Sequence, residues 1–458
     1  MAGENLDPSP LTWLGGERRL ARRVGRPVRD FLAIEAASGV LLIGATIIAL
    51  VWANSPWSES YFDLLHTHIT IQFGDVLTLD ESIEHWINDA LMAIFFFVVG
   101  LEIKRELVAG ELRDPRAAAL PAIGAIGGMV LPALFYVVFN AGGAGADGWG
   151  IPMATDIAFA VGVVALLGNR VPSAMKVFLL TLAIVDDIGA IAVIAIFYTD
   201  DLSVDWLLAA VGITVVILLM RMARIWYIPA YVFVGGFLWL AVFESGIHAT
   251  VAGVLLGLIT PAHPLRSYSG DDEDEAEEDP HVGAAIAGQA SASVVRRATF
   301  EIRERLSVAE RLEDSLHPFS SFLIIPIFAL ANAGIEISGD SIKDAMSSDV
   351  TIGVIVGLVL GKLVGVSVFT WAAVKSGIAS LPRGASMTHV VGLAAIAGIG
   401  FTVSLFITNL AFDDPTVIDE AKLGIVAASI LAAVVGVLVL SRANEVIEIE
   451  MEDAGSDS

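Results

Sequence analysis

About twelve apolar stretches, most near 20 residues long and separated by polar breaks, run the length of this chain. They fall near 31–53, 86–108, 117–140, 150–168, 175–198, 204–220, 224–243, 246–262, 317–337, 349–372, 385–410 and 417–441. A helix of about 20 apolar residues crosses the hydrocarbon core of a bilayer. Of the 458 residues, 56% are hydrophobic and 17% charged, whereas an ordinary soluble domain has roughly 25% charged residues. Mean hydropathy is +0.75. A soluble fold would have nowhere to put that apolar surface, so a soluble enzyme, a DNA-binding protein and a secreted disulfide scaffold are excluded. No nucleic-acid partner is expected; lipid is. With no cysteine, disulfides, thiolate catalysis and zinc–sulfur sites are excluded as well. The chain reads as an all-α polytopic membrane protein.

Orientation follows from the basic residues. If the N-terminus is cytoplasmic, 23 of the 26 Lys and Arg lie on the cytoplasmic side. Only Lys343 and Lys422 lie opposite, and Lys362 falls inside a span. That asymmetry is a positive-inside signal that also supports the span count. Both termini are therefore expected in the cytoplasm of a cell-membrane protein. The basic segment 1–30 precedes an apolar run too long for a signal-peptide core, with no A-x-A site after it, so it is expected to be retained. The net charge of −25 is local: eight acidic residues lie between Asp271 and Asp279, and six more between Glu445 and Asp457. These runs read as solvated loops rather than binding surfaces. Most of the loop 263–316 is expected to be disordered, and 442–458 forms an acidic cytoplasmic tail.

The first external loop, 54–85, has neither Lys nor Arg. Ile69, Ile71 and Phe73 alternate with polar residues, Gly74-Asp75 follows, and a second alternating run spans Val76 to Leu79. Alternation around a two-residue Gly-X turn predicts a β-hairpin. An isolated hairpin is marginal in water, so it is expected to pair with something. Elsewhere, Gly353, Gly357, Gly361 and Gly365 recur at every fourth position of one span, a ridge for close helix contact.

Ionisable residues inside spans carry the functional signal, because each is costly in lipid unless compensated. Asp156 follows Thr155, Asp186 and Asp187 are adjacent, and Lys362 lies among apolar residues. Carboxylates, a hydroxyl and backbone carbonyls are the oxygen donors that suit a hard cation such as Na⁺, whereas the lack of Cys and the scarcity of intramembrane His argue against a transition metal. Burial and like charge also favour proton binding by neighbouring carboxylates. Competition of H⁺ and Na⁺ for the same oxygens is exchange.

The runs 153–159 (MATDIAF), 183–189 (AIVDDIG), 100–107 (GLEIKREL), 398–404 (GIGFTVS), 328–334 (FALANAG) and 246–253 (GIHATVAG) resemble, in order, those of the NhaA-type sodium/proton antiporters. The likeness spans about 30–441, the expected membrane domain. It implies twelve spans, with spans 3–5 and 10–12 forming inverted repeats whose middle helices are interrupted and cross near the midplane. A short fourth span containing Thr155-Asp156, and Gly398 and Gly400 in the eleventh, agree with that.

The resemblance also implies residue roles. Asp186 and Asp187 would carry Na⁺ and protons, and Asp156 and Thr155 would line the broken helix. Lys362 would either offset partial charges at the crossing or pair with Asp186. Glu102, Arg105 and Glu106, with Glu313 and His317 of span 9, would gather cations and sense pH at a cytoplasmic funnel. Glu310 and Asp314 depart from the family pattern, standing where a basic residue and a histidine are typical. A solvated helix end is the structural alternative for that cluster. Exchange of cytoplasmic sodium or lithium for external protons is implied, electrogenic and pH-regulated, with no cofactor and with a homodimer joined by the hairpin.

Rival readings have sequence tests. An intramembrane aspartyl protease would use two carboxylates as an acid–base pair. Its Tyr-Asp and Gly-x-Gly-Asp elements are absent, and adjacent aspartates on a helix point about 100° apart. A passive channel does not need a buried lysine beside its acidic site. A sodium-coupled symporter would need an organic substrate.

Overall fold

The computed structural model describes residues 37–262 and 306–443, apart from positions 75, 76, 200, 201, 224, 226 and 383. The segment 1–30, the start of the first apolar stretch, residues 263–305 of the loop 263–316, and the tail from 444 lie outside the described residues, as does Asp75 of the hairpin turn.

Local sequence signals set the helix starts. Asp114 precedes Pro115–Asn140, and its carboxylate accepts from Arg116 N at 2.9 Å. Asp414 opens Pro415–Leu440 in the same way, accepting from Thr416 N at 2.9 Å. In both, Asp caps the helix and proline takes the first helical position, where its missing N–H has no partner to lose.

Each of the twelve expected stretches holds a helix or a helix pair among the described residues. Eight helices are long and apolar enough to cross a membrane, and up to ten if each of two bent pairs counts as one span. Two others, Ile228–Phe243 and Thr250–Ile259, are apolar but shorter. The described residues are thus mostly helical, with 8 to 10 candidate spans and one small sheet.

The glycine ridge does what its spacing predicts. A Cβ on Gly361 would lie 2.6 Å from Pro132 Cα, and one on Gly357 would lie 2.7 Å from Pro152 Cβ. These glycines bring the Lys362 span against Pro115–Asn140 and the 3₁₀ helix Ala146–Met153. A second close approach joins Ile83–Val108 to Thr250–Ile259, where a Cβ on Gly257 would meet Gly100 C at 2.7 Å. Gly257→Val is therefore expected to destabilise the protein by about 1–3 kcal/mol. Thermal unfolding in detergent would show it, and an unchanged midpoint would count against this packing.

Three π-helical turns, Ile87–Leu91, Ser320–Ile324 and Val356–Gly361, interrupt otherwise regular spans. The last ends directly before Lys362. Such wide turns re-aim the side chains that follow and cluster at functional sites.

The hairpin forms with β1 at His68–Phe73 and β2 at Leu77–Ser82, antiparallel, with Ile71 opposite Leu79. It runs beyond the expected apolar alternation because polar pairs extend it: Thr70 Oγ1 donates to Asp80 Oδ1 at 2.6 Å. A short helix the sequence reading did not anticipate, Ser58–His66, precedes it. Its Tyr61 hydroxyl donates to Leu330 O at 2.7 Å, pinning the end of the Val308–Asn332 span.

Candidate functional site

Two interrupted helices build the centre. In the first, a 3₁₀ helix Ala146–Met153 gives way to extended residues 154–156 before Ile157–Leu166 begins. In the second, Met387–Ile396 and Phe401–Ala411 meet at a 47° bend. The breaks lie against one another: Asp156 N donates to Ile399 O at 2.6 Å. Thr155 Oγ1 lies 2.9 Å from Ala397 O. Irregular backbone at membrane depth is tolerated where its polar groups are satisfied within the protein.

Asp156 caps Ile157–Leu166, its Oδ1 accepting from Phe159 N at 2.9 Å. Its Oδ2 accepts from Thr402 N at 3.0 Å and Thr402 Oγ1 at 2.7 Å, at the start of Phe401–Ala411. One carboxylate thus faces the positive ends of both half-helices.

Asp186 and Asp187 sit in the middle of Ser173–Phe197 and are buried. Asp186 Oδ2 accepts from Thr155 Oγ1 at 2.7 Å and is paired with Lys362 Nζ. Lys362 Nζ also donates to Thr155 Oγ1 at 3.1 Å. All three residues are fully buried. Lys362 thus meets Asp186 and, through Thr155, the crossing as well, where the sequence left open either of two roles. A charge pair inside lipid is sustained by direct contact of this kind. The remaining oxygens differ: Asp186 Oδ1 and Asp187 Oδ1 are buried and receive no hydrogen bond from the described residues. A buried carboxylate oxygen is satisfied by a donor, a proton or a cation. Chemically, this centre can hold protons or a hard monovalent cation.

The residues expected at the funnel also come together. Arg105 Nη1 lies 2.5 Å from Glu313 Oε1, and Arg105 Nη2 lies 3.7 Å from Glu106 Oε1. His317 Nε2 is 3.9 Å from Glu102 Oε1, an ion pair only when the imidazole is protonated. Glu106 Oε2 accepts from Glu111 N at 3.0 Å. Of the two departures, Glu310 donates its backbone N–H to the helix-capping Ser307 Oγ at 3.1 Å; Asp314 is exposed on the same helix.

The sequence reading named no role for Thr402, although it lies in the recognised run 398–404. The two carbonyls at the crossing and the π turn before Lys362 carried no residue-type signal at all.

Two interrupted helices whose breaks meet beside buried aspartates and a buried lysine of neighbouring helices, within a polytopic bundle, define a secondary ion transporter. The family model described as Na+/H+ antiporter 1 matches residues 29–440, and the chain belongs to that family. The chain is similar to Na(+)/H(+) antiporter NhaA 3 of Frankia alni, 47% identical over 91% of this chain and 89% of the relative. It is similar also to the NhaA antiporters of Oleidesulfovibrio alaskensis (45% identity, 90% of this chain and 93% of the relative) and Vibrio campbellii (44%, 90% and 94%). The protein is a multi-pass membrane transporter and not an enzyme.

Proposed function

We propose that this chain exchanges sodium or lithium for protons, and that Asp186 and Asp187 are where the two cations compete. Asp187 carries the reading: a buried carboxylate with a free oxygen, one residue from an aspartate already committed to Lys362 and Thr155. With protons bound, the centre needs no further cation. As protons leave, Asp186 Oδ1 and Asp187 Oδ1 become the ligands that attract Na⁺. Asp156, with both oxygens taken by half-helix donors, offsets the paired N-termini and shapes the crossing.

Twelve crossings with inverted repeats over stretches 3–5 and 10–12, and both termini cytoplasmic, fit the basic-residue asymmetry. In this scheme 31–441 forms one antiporter domain between the basic segment and the acidic tail, with 54–85 external and 263–316 cytoplasmic. Sodium is cargo at this site, and no resident cofactor enters the scheme.

The experiment is transport by the purified chain in proteoliposomes, with an inward sodium gradient and an internal pH dye. The lumen is expected to become alkaline on sodium addition with no organic solute present. Uptake that waits on a solute would favour the symporter, and an unchanged pH would end the proposal. Two protons per sodium, the family's exchange, would make turnover respond to membrane potential, since each net charge is worth about 2.3 kcal/mol per 100 mV.

Two further features fit this scheme. Among the described residues β1 and β2 pair only with each other, which leaves each an outer edge of the kind that strand pairing across a two-fold axis requires. Deleting 69–79 is expected to give monomers that still exchange, and a deletion variant that stays dimeric at low concentration in detergent would remove the hairpin from the interface. At the funnel, Glu310 and Asp314 add negative charge beside Glu313 and His317, which favours retained protons. Glu310→Lys/Asp314→His should shift the pH profile of exchange toward acid at saturating sodium; superimposable profiles would make these residues ordinary solvated charges.

A further inference from the structure

On the hairpin side of the crossing, three helices each contribute one asparagine and one phenylalanine at same-face spacing. Ile83–Val108 supplies Asn88 and Phe96, Val308–Asn332 supplies Phe328 and Asn332, and Phe401–Ala411 supplies Phe406 and Asn409. The separations of eight, four and three residues each return to one helix face. The phenylalanines pack together, with Phe406 centred 5.4 Å from Phe96 and 6.3 Å from Phe328, and all three are buried. The asparagines form a chain. Asn332 Nδ2 donates to Asn88 Oδ1 at 2.8 Å and to Phe328 O at 2.9 Å, while Asn332 Oδ1 accepts from Asn409 Nδ2.

Asn332 is the hub. It is fully buried, and both amide hydrogens and its oxygen are engaged. Each asparagine lies near the hairpin-side end of its helix: Asn332 is the last residue of Ile325–Asn332, Asn409 falls in the last turn of Phe401–Ala411, and Asn88 lies in the π turn Ile87–Leu91. The two layers are therefore stacked, with aromatics nearer the break at 397–400 and amides outside them. Asn409 follows Gly400 by nine residues, about 13 Å along a helix.

The two sides of the chain are anchored differently. The Asn332 end is held by surrounding scaffold: Tyr61 donates to Leu330 O, Asn54 Nδ2 donates to Ile335 O at 2.7 Å, and Asn54 Oδ1 accepts from Ile337 N at 2.6 Å. Asn409, by contrast, rides on the half-helix Phe401–Ala411, whose first turn donates from Thr402 to Asp156. A half-helix that changes position during exchange must part from Asn332. Interhelical side-chain hydrogen bonds in lipid are modest, a strength suited to a contact that forms and breaks in each cycle.

We propose that Asn88, Asn332 and Asn409 form a latch over an aromatic plug that closes the hairpin side of the ion site, and that release of Asn409 from Asn332 opens it. This rests on the exchange reading, because only a transporter has to open both sides in turn.

The test uses the absence of cysteine in the chain. Met92 is buried and lies between Asn88 and Phe96 on the same face, so Met92→Cys places one thiol between the layers. Membrane-impermeant maleimide is applied separately to each side of proteoliposomes. Asn409→Leu in that background is expected to speed labelling from the hairpin side about threefold to tenfold, the population shift set by one interhelical bond. Asn332→Ala should speed it further. Labelling from the opposite side should not rise.

Asn409→Leu keeps the Asn88–Asn332 bond, so the test stands even if Asn332→Ala fails to fold. Unchanged labelling in Asn409→Leu would overturn the latch. So would an equal rise from both sides, which would mean general loosening. Exchange by the unsubstituted chain is followed alongside. Its failure would sink the functional reading and the latch with it, whereas normal exchange with unchanged labelling would sink the latch alone.

Discussion

Asp187→Asn is expected to abolish exchange, with a loss of about a hundredfold or more, while the protein stays folded. The amide has nearly the shape of the carboxyl, but it can neither cycle a proton nor balance Na⁺. Folding should be spared because Asp187 Oδ1 receives no hydrogen bond among the described residues and a neutral group is cheaper to bury than a charged one. Sodium-driven pH change should fall to the level of empty liposomes, with the thermal midpoint unchanged or higher. A variant that retained normal exchange would remove Asp187 from the site, and one that unfolded would make the residue structural.

Lys362→Ala should produce the opposite pattern, with stability suffering first. The ammonium is fully buried and touches both Asp186 and Thr155. Removing it strands a carboxylate in the membrane interior, and breaking a buried pair from one side typically costs about 3–5 kcal/mol. Proton uptake by Asp186 can recover part of that. Lys362→Ala/Asp186→Asn removes both charges, so it should be more stable than Lys362→Ala alone. This non-additivity is the signature of direct coupling. Thermal denaturation of the four proteins gives the coupling, and strictly additive midpoints would show that the contact contributes nothing. In transport, Lys362→Ala should either fail or become insensitive to membrane potential.

The pattern of legible and illegible features has a physical basis. Helix positions were legible because hydropathy is local: the expected 117–140 and 417–441 are observed as Pro115–Asn140 and Pro415–Leu440. Asp156, Asp186, Asp187 and Lys362 stood out because a charge in an apolar run is conspicuous wherever the fold carries it. The Asp186–Lys362 contact joins residues 176 apart, and no local pattern encodes such a distance. Thr402, as the donor to Asp156, was hidden for the same reason, since a threonine in a span is unremarkable until its partner is placed. The π turn before Lys362 is a backbone adjustment to packing and has no composition of its own. The helix Ser58–His66 was missed because its amphipathic run is short and lies in a loop where strand alternation dominated the reading. Asn88, Asn332 and Asn409 became a group only when three helices converged.

Competition for one pair of carboxylates can be measured directly, without a membrane. Sodium is added to the purified protein in weakly buffered detergent solution at fixed pH, and released protons are counted for the parent chain and for Asp187→Asn. The parent should release protons in a saturable, sodium-dependent manner, and Asp187→Asn should release none at the same sodium concentrations. Equal release from the two proteins would place the exchange elsewhere and contradict the assignment of Asp186 and Asp187 as the shared site.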